Sequence, residues 1–65
     1  MSRRIGKRVA TARKAAELTQ EQLAAKVGIS REYLARLEGG AHEPTLTTIV
    51  KVARALGVTP GSLID

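Results

Sequence analysis

The sequence contains no cysteine, phenylalanine or tryptophan, and among its 65 residues has only one tyrosine and one histidine. Without cysteine there is no disulfide to brace a small fold and no thiolate to serve as nucleophile or metal ligand. The single histidine, His42, falls well short of the roughly four ligands of a zinc site. Ser2, Ser30, Ser62 and Asp65 offer His42 no nucleophile arrangement, and no G-x-x-x-x-G-K-[ST] phosphate loop occurs, so no catalytic residue is assigned and an enzyme is not expected. Long apolar runs are missing as well. Nothing approaches the roughly 20 residues of a membrane span. The basic opening Met1-Ser2-Arg3-Arg4 lacks the apolar run of a secretory leader, because Lys7, Arg8, Arg13 and Lys14 interrupt it. The expectation is a cytoplasmic protein with no metal, no cofactor and no membrane partner.

The core must therefore come from Ala, Val, Ile and Leu. A chain of about 60 residues buries only about 60% of its surface on folding, which favours a single domain, 1–65, made of short helices. Charge is the other resource. Eleven Lys and Arg against six Asp and Glu give +5. The excess is lopsided: residues 1–37 hold nine bases and three acids, whereas residues 38–65 hold two bases and three acids. A basic half points to a polyanionic partner.

Turn signals divide the chain into five helical segments with no strand-like alternation. The first spans about Ser2 or Arg3 to Glu17, with Ile5, Val9, Ala12 and Ala16 as its apolar stripe. Thr19-Gln20-Glu21-Gln22 reads as a capping box opening the second, whose inner face is Leu23, Ala24 and Val27 and whose stop is Gly28. Ser30 caps the third, Arg31 to about Glu38, which buries Leu34 and Leu37 and ends at Gly39-Gly40. Thr45 caps the fourth, where Leu46, Ile49, Val50, Ala53 and Leu56 recur at helical spacing before Gly57. Thr59-Pro60 starts a last turn that carries Leu63 and Ile64 to the core.

Residues 20–39 meet the requirements of a helix-turn-helix: Leu23, Val27, Ile29, Leu34 and Leu37 as apolar positions, Ala24 where helices cross, and Gly28 in the turn. Together with Leu18-Thr19-Gln20-Glu21-Gln22-Leu23-Ala24, Glu38-x-Gly40-x-x-x-Pro44 and Ala53-x-Ala55-Leu56-Gly57-Val58, the chain resembles the lambda-repressor/Cro-like helix-turn-helix proteins, the XRE family, from about Ile5 to Ile64. The resemblance implies an all-α, compact five-helix domain whose third helix enters the major groove. It implies a prokaryotic or phage setting, double-stranded DNA as partner, and a homodimer on an inverted-repeat operator. A groove about 12 Å wide admits one helix, and a two-fold dimer spaces two such helices by roughly 34 Å.

Arg31, Glu32 and Arg36 match the family's base-reading positions; Arg31 and Arg36 lie off the Leu34/Leu37 face and so point outward. The competing reading is a solvated charged face. Gln20 matches the family position at the second helix's start that grips a phosphate and buttresses the recognition helix, and Thr19 and Ser30 combine capping with a DNA contact. Tyr33 falls where the family often touches phosphate, or its ring packs on the core's rim. Arg13 and Glu38 match a family ion pair, which would leave Arg13 able to reach a phosphate. The alternative partner for Arg13 is Glu17 at i+4. Gly40 and His42 lie in the loop that approaches the DNA backbone, although two glycines also serve simply to stop a helix and Glu43 departs from that loop's usual basic character. Arg3, Arg4, Lys7, Arg8 and Lys14 are expected to supply general electrostatic attraction.

These readings converge on a sequence-specific DNA-binding transcriptional regulator, most simply a repressor. The alternatives are a protein-interaction module of the same fold that has lost operator binding, and a membrane-surface peptide. The last is disfavoured by the small Ala residues in the first segment's stripe.

Overall fold

A computed structural model describes residues 2–65; the first residue of the expected 1–65 domain lies outside the described part. Five helices follow in order: α1 (Ser2–Ala15), α2 (Gln20–Val27), α3 (Arg31–Glu38), α4 (Leu46–Leu56) and α5 (Pro60–Ile64). Among the described residues there is no strand. No helix is long and apolar enough to cross a membrane.

Local chemistry sets the boundaries. Thr19, Ser30, Thr45 and Thr59 each sit in extended backbone ahead of a helix and accept a hydrogen bond from the amide of the residue three positions on. Thr19 and Gln22 complete the capping box reciprocally: the Gln22 amide donates to Thr19 Oγ1 at 3.1 Å, and the Thr19 amide donates to Gln22 Oε1 at 2.9 Å.

The first helix ends earlier than its apolar periodicity predicts. Ala15 is its last residue, and Glu17 turns left-handed at φ 59°, a conformation normally left to glycine. The Leu18 amide then reaches back to the Arg13 carbonyl at 3.1 Å, and the Glu17 amide to that of Lys14 at 3.0 Å. This is the double closure that Gly57 and Val58 make on Arg54 and Ala53 at the end of α4. Glu17 is thus the unmarked counterpart of Gly28, Gly40 and Gly57, which also have positive φ.

The core consists of Ile5, Val9, Leu23, Ala24, Leu34, Leu37, Ile49, Val52, Ala53 and Leu63. Two stripe assignments are corrected. Ala16, beyond the end of α1, is exposed. On α4, Leu46 is 67% exposed whereas Val52 is buried, so the inward arc runs Ile49, Val52, Ala53, Leu56 and leaves Leu46 and Val50 at its edge. The positions of α2 and α5 decide this, because α4 packs on both of them.

α1 lies across the end of α3 at backbone contact. A Cβ at Gly6 would overlap the Leu37 carbonyl oxygen and crowd that of Glu38. One at Gly40 would come within 2.9 Å of the Arg3 Cα. Two glycines, one on each side, allow this approach, and it sets the height of the α3 terminus against α1.

Candidate nucleic-acid interface

α3 has two faces. Leu34 and Leu37 are fully buried, and this anchors the helix in rotation about its own axis. Arg31, Glu32 and Arg36 consequently stand on the exposed side. The α2–α3 turn is only as long as Gly28, Ile29 and Ser30. Gly28 adopts φ 84°, the Ile29 amide closes on the Ala24 carbonyl at 3.0 Å, and Ser30 Oγ accepts from the Tyr33 amide at 3.0 Å. Leu23 and Ala24 of α2 are buried in the same core as Leu34 and Leu37, and α2 packs on α3. The exposed face of α3 is therefore held on a rigid support.

A chain of polar contacts runs from α1 to the start of α3. Arg13 grips Glu38 with two prongs: Nε donates to Oε2 at 2.7 Å and Nη2 to Oε1 at 3.1 Å. Its Nη1 donates to the Leu18 carbonyl at 2.8 Å. Gln20 Nε2 donates to the same Glu38 Oε1 at 3.0 Å, and Gln20 Oε1 accepts from Arg31 Nη1 at 3.5 Å. The Arg13 and Glu38 side chains are only 11% and 6% exposed, so desolvation strengthens their bidentate pair. Arg31 is half exposed, and its second tie, to Glu32 at 4.0 Å, is a loose surface contact.

The expected site residues thus fall into groups. Gln20, Arg31, Glu38 and Arg13 are linked into one chain. With three donor contacts turned inward and Glu38 rather than Glu17 as its partner, Arg13 acts as a strut between α1 and α3. Tyr33 is half-buried against the core and meets the His42 ring, with centroids 5.1 Å apart and planes tilted by 48°. Its ring thus lies on the rim of the core, beside the loop that carries His42. Thr19 and Ser30 use their hydroxyl oxygens as caps, and each hydroxyl still has a proton to donate. Gly40 is half-buried against α1, and Arg36 stands apart without an ion pair among the described residues.

Gly6, absent from the expected site residues, lacks the side chain that would keep α1 from settling on α3. A glycine tolerated inside a helix was the available signal, since it costs roughly 1 kcal/mol against alanine and calls for a packing reason. Arg4, one of the residues expected to supply general electrostatic attraction, also donates from Nη2 to the Asp65 carbonyl at 3.1 Å and ties α1 to the end of α5. Arg3 and Lys7 remain exposed beside it.

The sequence profile of the helix-turn-helix family, HTH_3, matches residues 9–63. An immunity repressor protein of Bacillus phage phi105 is 42% identical over 60 residues, covering 92% of this chain but 42% of the repressor. The chain thus spans less than half the length of that relative. An uncharacterized HTH-type transcriptional regulator of Sinorhizobium fredii, y4dJ, is 39% identical over 64 residues, covering 98% of this chain and 83% of the regulator. Among solved structures, the restriction-modification controller protein C.AhdI of Aeromonas hydrophila superimposes with a TM-score of 0.90 at 36% identity, covering 94% of this chain and 92% of that one. SinR, a master regulator for biofilm formation crystallised with DNA, superimposes with a TM-score of 0.89 at 31% identity, covering 94% of this chain and 98% of that one.

Proposed function

The chain belongs to the helix-turn-helix family HTH_3, the lambda-repressor/Cro-like or XRE regulators, and on that premise we propose that it binds double-stranded DNA sequence-specifically as a transcriptional regulator. α3 enters the major groove with Arg31 and Arg36 as base readers and Glu32 as their neighbour or a cytosine contact. Thr19, Gln20, Ser30, Tyr33, Gly40 and His42 position the backbone. The protein acts as a repressor, as a homodimer on an inverted repeat. Its relatives, which include an immunity repressor and an HTH-type regulator, favour this reading over an enzyme.

One observation carries the proposal. α3 exposes two arginines on a helix whose other face is locked into the core, and the first of them is already held by Gln20. An arginine fork presented this way suits the O6 and N7 acceptors of guanine. Selection from random duplex DNA followed by gel-shift titration tests it. An enriched inverted repeat is expected, and a library that stays random would overturn the reading.

Leu46 favours a second role for the domain. It is the one large apolar side chain exposed among the described residues, and it lies on α4 rather than α3. A protein-interaction module that has lost operator binding would show no enriched site in the same selection.

A further inference from the structure

This inference rests on the base-reading role proposed for Arg31. Glu38 ends α3 and Arg31 begins it, about 10 Å apart along the axis, so the helix alone does not couple their side chains. Gln20, on α2, does. A carboxylate only accepts hydrogen bonds. Glu38 Oε1 already takes Arg13 Nη2, and the group it meets on α2 is Gln20 Nε2 at 3.0 Å. Reversing the Gln20 amide would set its carbonyl oxygen against a carboxylate oxygen, two acceptors with no proton between them. The carboxylate therefore dictates which end of the amide faces inward. The other end, Oε1, is an acceptor turned toward Arg31 Nη1 at 3.5 Å.

We propose that Glu38 is a specificity-positioning residue. Through the Gln20 amide it holds an acceptor against Arg31 and so sets the direction from which the guanidinium enters the groove. Arg13 contributes by holding the Glu38 carboxylate in place with two hydrogen bonds. Glu32 cannot substitute for Gln20, because its contact with Arg31 is long and its side chain is 67% exposed. An arginine aligned before contact loses less rotamer freedom on binding, and a misdirected one loses the bidentate geometry that distinguishes bases.

Glu38→Gln tests this in the whole chain. The substituted amide keeps the shape and can still accept from Arg13, but it can also donate, so both orientations of Gln20 become allowed. The readout is the ratio of affinities for the selected operator and for the same duplex changed at the base pair where Arg31→Ala abolishes preference. Random DNA serves as the third probe. Glu38→Gln should lower that ratio about five- to tenfold and leave random-DNA affinity unchanged, and the loss should vanish in an Arg31→Ala background. Gln20→Met should lower the same ratio; any phosphate contact of Gln20 cancels in it, and this variant carries the test if Glu38→Gln fails to fold. An unchanged ratio in both variants, or equal losses on selected and random DNA, would overturn the inference. If the wild-type chain selects no sequence, the regulator reading fails; if it selects one that Arg31→Ala relaxes and Glu38→Gln does not, only the role of Glu38 fails.

Discussion

Glu17 and Arg31 are both exposed charged side chains, yet one is a backbone device and the other the base reader proposed above. Glu17 occupies the left-handed region at φ 59°, which costs an L-residue roughly 1–2 kcal/mol. Its side chain makes no ion pair or hydrogen bond among the described residues. Glu17→Gly should relieve that strain, offset in part by the freer unfolded chain, for a net gain of about 0.5–1 kcal/mol. Thermal melts followed by circular dichroism would show a higher midpoint; a lower one would mean that Glu17 contributes something its geometry does not reveal. Arg31 should behave in the opposite way. Arg31→Ala and Arg36→Ala should each cost about 1–3 kcal/mol on a selected operator and far less on random DNA, with little change in melting temperature. Arg3→Ala should weaken both DNAs alike, and gel shifts on the two probes separate these cases.

Helices α1 and α3 meet without side chains between them where Gly6 passes the carbonyl oxygens of Leu37 and Glu38. Gly6→Ala would add a methyl group where main chain already stands, so α1 must lift away from α3. The expected loss is about 1–3 kcal/mol, visible as a lower urea midpoint. A midpoint equal to wild type would show that α1 can shift freely. Leu34→Ala empties a fully buried site on α3 and should cost about 2–5 kcal/mol. At this scale the limits of reading a sequence become physical. The caps at Thr19, Ser30, Thr45 and Thr59 and the stops at Gly28 and Gly57 were legible because each is a bargain among residues within one turn. The outward placement of Arg31 and Arg36 was legible because helical period sets it once Leu34 and Leu37 are known to be inside. Val52 in place of Leu46, the Arg4 tie to Asp65 and the Gln20–Glu38 bond depend on which helix lies alongside, and no local pattern records that. Glu17 was hidden differently: its neighbour Leu18 has the apolar type common after a left-handed stop, but the stop itself carried no glycine.

The whole domain measures 24 × 22 × 19 Å, less than the roughly 34 Å that separates successive major-groove faces on one side of a duplex. On the proposed reading, one copy would therefore span one half-site, and an inverted repeat would need two. Footprinting on a selected operator should show two protected centres about one helical turn apart, whereas a single protected centre at saturation would argue for a monomer. The lopsided charge adds a second expectation. With nine bases in residues 1–37, affinity for any duplex should fall steeply with salt, the log–log slope being about −0.9 for each phosphate neutralised. The caps that mark both ends of α2, α3, α4 and α5 also bear on how the domain forms. Each of these four helices carries its own start and stop within a few residues, so most of the information needed to build it is local and little chain must be searched before packing begins. Small helical domains of this kind refold in about microseconds to milliseconds. A copy that unfolds while moving along DNA would thus recover its reading surface almost at once.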